Sequence, residues 1–359
     1  MTDDRTRPAD TSAVQDNAGT DRRGFVRTAA AATGAVAGAA AGKFSLAPIA
    51  TAEAQESMHQ PWWPSKWGAE DEAGSTNHIT PQKVLEAVRG IRDGKVYKLG
   101  RTYESGMPFF GARVMALRIP GSPTGGPFGK NKLVYHDEFV ATEIGQVGTQ
   151  FDGLGHIGLQ LGADGDKKQM HYYNGFSEEE IGKPYGLARL GVEKLKPIVT
   201  SAHLVDIAGL KGRMLDRGEE IKLQDVRDAL KKQGMSENDL KPGDAIMFHT
   251  GWGSLWMKNN DRFNSGEPGI GLEVAEWVVE KDLCLTAADT WAVEVVPNPD
   301  PEVAFVVHAH LQTKHGIVNH ENLTFDELLA DRKYRFVYMF APVPLKGATG
   351  SCGCPIAIT

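Results

Sequence analysis

The sequence has few cysteines, and their spacing does not suggest a disulfide framework. Cys284 lies in an apolar run and is predicted to be buried, whereas Cys352 and Cys354 are separated by a single residue. That spacing is too short for a relaxed disulfide, and two thiols without a second pair are weak evidence for a metal site. We therefore predict structural roles for all three cysteines.

Long basic runs, nucleotide-binding motifs and domain linkers are also missing. The formal net charge is −7, and a nucleic-acid-binding surface is basic, so we exclude nucleic acid as a partner. No glycine-rich phosphate loop stands between a strand and a helix, and the G-x-S-x-G elbow of a serine hydrolase is absent. No Ser/Gly-rich or Pro-rich segment divides residues 55–359, so these are predicted to form one domain.

The beginning of the chain has the features of a targeting segment. Residues 1–19 are polar and predicted to be disordered. Residues 20–54 follow the order of a twin-arginine signal, with Arg22 and Arg23, an Ala/Gly-rich run and an A-x-A cleavage site. The alternative, a transmembrane anchor, is disfavoured because the apolar run is rich in small residues and is followed by Lys43. We predict export by the twin-arginine route to the periplasm or the medium, without a stable membrane anchor.

The rest of the sequence alternates between strand and helix patterns, which predicts an α/β fold. One helix is predicted to begin at Thr80-Pro81 and to end at Gly94. Further helices are predicted over Lys222–Lys232, Leu272–Glu280, Glu302–Lys314 and Phe325–Ala330. Strands are predicted over Val96–Leu99, Leu133–Val140, Gly145–Phe151, Val199–Ile207, Ala245–His249, Leu283–Ala288, Ile317–Glu321 and Phe336–Ala341.

A glycine-rich loop after one of these strands carries the first group of reactive side chains. Asp152 and His156 are four residues apart, close to the carboxamide of Gln150. Carboxylate and imidazole groups bind divalent metals and transfer protons, and glycines allow a ligand to approach the backbone closely. The alternative is a glycine-rich turn in which Asp152 and His156 are merely hydrogen-bonded.

A second group has four histidines within 13 residues, followed directly by Glu321. In a helix, His308 and His310 point about 200° apart, whereas His308 and His315 share a face. His320 and Glu321 lie on a strand and point to opposite sides. We therefore predict functional roles for His308 and Glu321, and a solvated polar surface for His310, His315 and His320.

These motifs resemble the cyclase-type metal-dependent hydrolases, a family that includes bacterial kynurenine formamidase and isatin hydrolase. The family signature H-x-G-T-H-x-D-x-P-x-H aligns with residues 146–156, which read Q-V-G-T-Q-F-D-G-L-G-H. Glutamine replaces both earlier histidines, at Gln146 and Gln150, and leucine replaces the proline. His308 and the E-N-L sequence that begins at Glu321 match the downstream motif. The chain resembles a variant branch that has G-T-Q-x-D-G in place of G-T-H-x-D-x-P.

Because glutamine, a weaker and harder ligand than imidazole, replaces both loop histidines of the family, we expect a single divalent ion, Mn²⁺ or Zn²⁺. The resemblance implies a single compact domain of layered mixed β-sheets and helices. It also implies that His156 is a catalytic proton shuttle and that the chain forms a homodimer or homotetramer. The implied ligands are Asp152, His308 and Glu321, with Gln150 as a fourth.

The expected activity is hydrolysis of an amide, lactam or lactone bond in a small substrate that is cyclic or aromatic. Three tryptophans are candidates for binding such a ring, although tryptophan is as often part of the core: Trp63, Trp252 and Trp291. The alternative function is an exported, non-catalytic binding protein for small molecules that has lost its metal site.

Overall fold

A nine-stranded mixed sheet organises the part of the chain that the computed structural model describes, residues 61–359. The predicted disordered segment and the twin-arginine segment lie outside the described residues. The strands of this sheet are β1 (Val96–Lys98), β2 (Gln150–Asp152), β3 (Ile198–Asp206), β4 (Ala245–His249), β5 (Leu285–Ala288), β6 (Val318–Glu321), β7 (Arg335–Phe340), β8 (Gly350–Cys352) and β9 (Ile356–Ile358). Their order across the sheet is β1-β9-β7-β3-β4-β5-β6-β2-β8.

The centre of the sheet is parallel and its margins are antiparallel. Strands β3, β4, β5 and β6 run in the same direction, and β2 pairs antiparallel with β6. Central parallel strands are covered on both faces and therefore have continuous apolar sequences, as in β4, where four of five residues are buried. This mixed α/β architecture confirms the predicted fold class.

Each face of the sheet has its own hydrophobic core, because successive side chains of a strand point to opposite sides. Met247 of β4 belongs to one core, together with Phe151 and Tyr338. Its neighbours Ile246 and Phe248 belong to the other core, which is covered by two amphipathic helices, Leu223–Lys232 and Leu272–Glu280.

The remaining helices are short. The first of them begins as predicted, with Thr80 accepting a hydrogen bond from the Lys83 backbone N–H, but it ends at Val88, before Gly94. No helix within residues 61–359 is long and apolar enough to cross a membrane. The α-helices outside the two on the covered face are Pro81–Val88, Glu178–Ile181, Ile207–Lys211, Asn260–Asn264, Val306–His308 and Asp326–Ala330.

Two of the predicted strands are wrong in their extent. The chain forms a strand only at Gln150–Asp152 instead of over Gly145–Phe151, because Gly148 has a left-handed φ of +63° that breaks the extended backbone. The predicted strand Leu133–Val140 is divided into Leu133–Tyr135 and Phe139–Thr142.

These last two strands belong to a long hairpin, residues 114–142, which we call the arm. Its inner ribbon pairs Met115–Arg118 with Phe139–Thr142, and its outer ribbon pairs Gly125–Phe128 with Leu133–Tyr135. Two further ribbons are shorter and pair Leu159–Gln160 with Met170–His171, and Glu220–Ile221 with Gly269–Ile270.

The three cysteines are free thiols, as expected from their spacing. Cys284 is fully buried beside β5, which confirms its predicted place in the core. Cys352 is partly buried at the end of β8, and Cys354 is exposed.

Candidate metal centre

The pairing of β2 with β6 brings together two carboxylates that are far apart in the sequence. Gln150 lies opposite Glu321, and Asp152 lies opposite Asn319. Alternation along each strand places Gln150, Asp152 and Glu321 on one face of the sheet, whereas His320 points to the other face. The prediction that Glu321 and His320 point in opposite directions is therefore confirmed.

His308 completes the cluster from the helical segment above the sheet. Its Nε2 lies 3.2 Å from Glu321 Oε1 and 3.8 Å from Asp152 Oδ2. One ligand atom from each of the three residues lies within 4.8 Å of the other two, and all three residues are buried. The structure thus brings together the three residues that the sequence suggested as metal ligands.

The helical segment that carries His308 is irregular. An α-helical turn, Val306–His308, continues as a π-helix over Ala309–Lys314, in place of the regular helix predicted from residue 302. Because a π-helix has i→i+5 hydrogen bonds, His310 contacts His315, with 4.7 Å between the ring centroids. The prediction that His315 shares a face with His308 is wrong for this reason.

Sequence analysis missed Glu294, which contacts His308 from the side away from the cluster. The buried Glu294 carboxylate accepts hydrogen bonds from Nδ1 of His308 and from its backbone N–H, the latter at 3.0 Å. The preceding residue, Val293, has φ +62°, which is a strained conformation for a β-branched residue. The sequence around Glu294 gave no indication that its partner is His308.

The electrostatics of the cluster favour a bound cation. Burial, followed by the nearby charge of Asp152, raises the pKa of Glu321 to about 8. The buried Glu267 accepts a hydrogen bond from the Trp291 backbone N–H nearby; burial raises its pKa well above the usual value, and the charge of Glu321 adds to this effect. Opposing the effect of burial, hydrogen bonds to Glu294 and Glu321 raise the pKa of His308. Two carboxylates and one imidazole are a donor set that a divalent ion fits, and such an ion would offset the negative charges of the two buried carboxylates.

Three glutamine amides surround the carboxylates. Gln150 Nε2 donates a hydrogen bond to Glu321 Oε2, and Gln146 Nε2 donates to Asp152 Oδ1 at 3.0 Å. Gln312, which sequence analysis did not identify, donates to Asp152 Oδ2 at 3.4 Å. A carboxamide has both donor and acceptor ends, so Gln150 is placed where its oxygen could serve as a fourth ligand after rotation of the amide.

His156 lies at the edge of the cluster. Its Nε2 is 3.9 Å from Asp152 Oδ2, and about one fifth of its side chain is exposed. Burial lowers the pKa of His156, against the opposing charge of Asp152. A lowered pKa favours the neutral form of the imidazole, which can accept a proton.

The cluster opens into a cavity of about 160 Å³. Phe110 and Trp291 stack at its edge, with 4.3 Å between the ring centroids, and Arg113 lies 5.7 Å from the Phe110 ring. A larger cavity of about 500 Å³ lies beyond the π-helix and is lined by His310 and other residues, but it contains none of the three clustered residues.

The three candidate tryptophans have different environments. Trp291 lines the small cavity. Trp252 is fully buried behind it and donates a hydrogen bond to the Phe263 carbonyl, so it is part of the core. Trp63 stacks on His171, with 4.8 Å between the centroids, and is not among the residues that line the cavity. Only Trp291 is placed to contact a substrate there.

The other predicted surface histidines also differ from one another. His315 is exposed and His310 is partly buried. His320 is completely buried, contrary to its predicted exposure, because it lies on a central strand and packs between the Tyr338 hydroxyl and the Phe340 ring.

Comparison with known proteins agrees with this fold. The family model "Cyclase" matches residues 97–295. A crystal structure described as a novel cyclase is 30% identical, with a TM-score of 0.71, over 82% of this chain and 96% of that chain. Among curated protein sequences, none matches this chain.

Two isatin hydrolases are similar in fold at low sequence identity. Isatin hydrolase A from Ralstonia solanacearum has a TM-score of 0.54 and 16% identity, over 78% of this chain and 96% of that chain. Isatin hydrolase A from Labrenzia aggregata has a TM-score of 0.53 and 14% identity, over 74% of this chain and 93% of that chain.

Proposed function

The chain belongs to the cyclase family, and from this premise we propose that it is a metal-dependent hydrolase of a small amide, lactam or lactone. The observation that carries the proposal is the buried cluster of Asp152, His308 and Glu321, which opens directly into a cavity. Buried charged groups are generally paired or coordinate a metal, and a buried carboxyl with a perturbed pKa that lines a cavity is a candidate functional group.

The residues present fit one divalent ion, which we propose to be Mn²⁺ or Zn²⁺. Asp152, His308 and Glu321 would hold it, with the Gln150 amide oxygen as a fourth ligand. When bound, such an ion supplies Lewis acidity and lowers the pKa of water at the site. Two carboxylates, one imidazole and one amide form a harder donor set than a site with three imidazoles, which makes Mn²⁺ more competitive with Zn²⁺.

The protein's own groups account for proton transfer and substrate orientation. His156 lies beside Asp152 at the cavity edge, where it can take a proton from water and return it to the leaving nitrogen or oxygen. Trp291 and Phe110 offer aromatic surfaces for a ring. A volume of about 160 Å³ is below the ~300–1,000 Å³ of typical ligand pockets, which favours a small, single-ring substrate.

The second candidate is a non-catalytic binding protein without metal. The contacts of Gln146 and Gln150 favour it, because both amides already donate hydrogen bonds to the clustered carboxylates. In that case the cavity would bind a small molecule and leave it unchanged.

Metal analysis combined with a hydrolysis assay separates the two candidates. The purified full chain is incubated with Mn²⁺ or Zn²⁺, desalted and analysed for metal, then assayed with isatin, an aryl formamide and an aromatic lactone. We expect one ion per chain and turnover of at least one substrate, both lost in Asp152→Ala and kept in the exposed control Asp164→Ala. A chain that takes up neither ion and hydrolyses none of the substrates would contradict the hydrolase proposal.

We also propose that the chain is exported through the twin-arginine route. The proposal rests on the sequence order around Arg22 and Arg23, because the export machinery recognises the arginine pair. The double variant Arg22→Lys, Arg23→Lys should stay in the cytoplasm, while the single variant Arg27→Lys should be exported normally. Normal amounts of the double variant outside the inner membrane would show that the signal was misread.

A further inference from the structure

Arg113 places a cation in the small cavity beside the candidate metal centre. It immediately precedes the arm and lines the cavity together with His156 and Trp291. A guanidinium remains protonated at neutral pH, so Arg113 carries the only permanent positive charge among the described side chains that line this cavity. A cation in this position is a candidate for contact with an anionic group of a ligand.

Most hydrogen-bond donors of Arg113 have no partner in the described part of the chain. Its Nη2 donates to Gln146 Oε1 at 3.5 Å, which is long for a hydrogen bond, and its Cζ lies 5.7 Å from the Phe110 ring. Within residues 61–359, no carboxylate forms an ion pair with Arg113. A guanidinium has five N–H donors in a fork that matches the two oxygens of a carboxylate. The remaining donors are therefore available to an anion.

Gln146 connects Arg113 with the candidate metal centre. The oxygen of its amide accepts from Arg113, and the nitrogen of the same amide donates to Asp152 Oδ1 at 3.0 Å. The guanidinium therefore lies one amide group away from a proposed metal ligand. A molecule with a single aromatic ring is long enough to contact Arg113 at one end and the metal centre at the other.

The charges that line the cavity favour an acidic ligand over a neutral one. Asp152 and Glu321 are the acidic side chains of the lining, and the proposed divalent ion would offset both. Arg113 then remains as a positive charge without a counterion. It is partly buried, so a ligand that fills the cavity would remove it further from water. A charge removed from water is costly unless it is paired, and a carboxylate on the ligand would supply the partner.

We propose that Arg113 determines specificity by binding a carboxylate of the substrate, at the end of the molecule opposite the bond that is cut. This inference rests on the proposed hydrolase function and narrows its substrate class to aromatic acids that also carry the amide, lactam or lactone. The ring of such a substrate lies against Trp291 and Phe110, its carboxylate pairs with Arg113, and its reacting carbonyl faces the metal centre.

The kinetics of two matched substrates, 4-formamidobenzoate and its neutral isostere 4-formamidobenzamide, test the proposal. We expect the full chain, loaded with Mn²⁺, to have the higher kcat/KM for the acid. Arg113→Gln should lower kcat/KM for the acid at least ~10-fold, the usual loss of a hydrogen bond to a charged group. The same variant should not lower kcat/KM for the neutral amide.

Arg118→Gln is the matched control for these kinetics. Arg118 also stacks on a phenylalanine, with its Cζ 5.3 Å from the Phe139 ring, but it is exposed on the arm and is not among the residues that line the cavity. The control should keep the wild-type preference for the acid. Equal kcat/KM values for both substrates in the wild type, or a ratio that Arg113→Gln leaves unchanged, would overturn the inference while the hydrolase function stands.

Titration calorimetry tests the role of Arg113 without depending on hydrolysis. The full chain is titrated with benzoate and with its neutral isostere benzamide, both without added metal and with Mn²⁺. The wild type should bind benzoate more tightly than benzamide, and Arg113→Gln should weaken the binding of benzoate alone, again at least ~10-fold. This result without turnover of either formamide would support the carboxylate contact of Arg113 and contradict the hydrolase function.

Three results of the calorimetry would overturn the inference. The first is no detectable binding of benzoate under either condition. The second is binding of benzoate that requires Mn²⁺ and is unchanged in Arg113→Gln, which would place the carboxylate on the ion instead. The third is an equal weakening of benzoate and benzamide in Arg113→Gln, which would mean that Arg113 only holds Phe110 and Gln146 in position.

Discussion

The Glu294 carboxylate binds both the backbone and the side chain of His308. It accepts hydrogen bonds from the His308 backbone N–H and from Nδ1 of the imidazole, and it also accepts one from the Val307 N–H at 3.3 Å. An Nδ1–H bonded to a carboxylate leaves Nε2 free to act as a metal ligand and fixes the ring plane. Glu294 is therefore the positioning residue of the candidate metal centre.

Glu294→Gln should weaken metal binding without unfolding the chain. The neutral amide is a weaker acceptor for the His308 imidazole, and losing such a carboxylate partner costs about 10–100-fold in metal affinity. Competition titration with a chelating dye measures the affinity. Glu280→Gln, at an exposed position near the end of the helix Leu272–Glu280, is the control and should bind like the wild type. An unchanged affinity in Glu294→Gln would show that His308 is not a ligand oriented by this bond.

Gln150→His should shift the metal preference towards Zn²⁺. The substitution restores the imidazole that the family signature has at this position, beside the buried Glu321 carboxylate. Imidazole nitrogen favours Zn²⁺ over harder ions. The ratio of Zn²⁺ to Mn²⁺ affinity, measured by competition, should rise relative to the wild type. The control is Gln224→His, at an exposed position on the helix Leu223–Lys232, which should leave the ratio of affinities unchanged. An equal ratio in both variants would argue against a role for residue 150 at the metal.

The elements that sequence analysis predicted best are those with strong periodicity and clear ends. The strand Ala245–His249 and the helix Leu272–Glu280 have the bounds that were predicted. Each is long enough, and apolar enough on its buried side, for local preference and burial to agree. The three clustered residues could also be predicted from the sequence, because side chains of metal-binding type occur in two short segments that resemble a known motif.

The features that were missed depend on contacts between distant segments. Glu294 reaches His308 through backbone strained at Val293, and the π-helix after His308 changes which histidines are neighbours. Neither feature has a local sequence signal, because a regular helix was equally compatible with residues 309–314. The burial of His320 likewise depends on packing against Phe340, a partner on another strand.

Asp244→Asn should be strongly destabilising, because it breaks a buried charge pair. Asp244 accepts hydrogen bonds from the buried Lys83 ammonium and from His203 Nε2, the latter at 3.0 Å. Removing one partner of a buried pair typically costs about 3–5 kcal/mol. Chemical denaturation should show this loss at pH 7. Asp93→Asn, which breaks an exposed pair with Lys333, should have little effect.

The pH dependence provides a second check on Asp244. Burial opposes ionisation of this carboxyl, but hydrogen bonds from His203 and Lys83 lower its pKa below the usual value. A lowered folded-state pKa contributes stability that is present above the unfolded pKa of about 3.9 and is lost as the pH falls through the folded value. The difference in the free energy of unfolding between the wild type and Asp244→Asn should therefore be constant near neutral pH. It should become smaller only below about pH 4. A difference that narrows at higher pH would contradict the assignment.

His156→Ala separates the three roles that its position allows. If His156 is the proton shuttle, as we expect from its place at the cavity edge, metal content should stay at one ion per chain while turnover falls by roughly 10²–10⁴. If it is a ligand, the same variant should lose the ion. If it is structural, the melting temperature should fall with little change in rate per folded molecule. His136→Ala, at an exposed position on the arm, is the control. Elemental analysis, thermal melting and turnover measured on the same preparation decide among the three, and unchanged turnover with full metal content would rule out the shuttle.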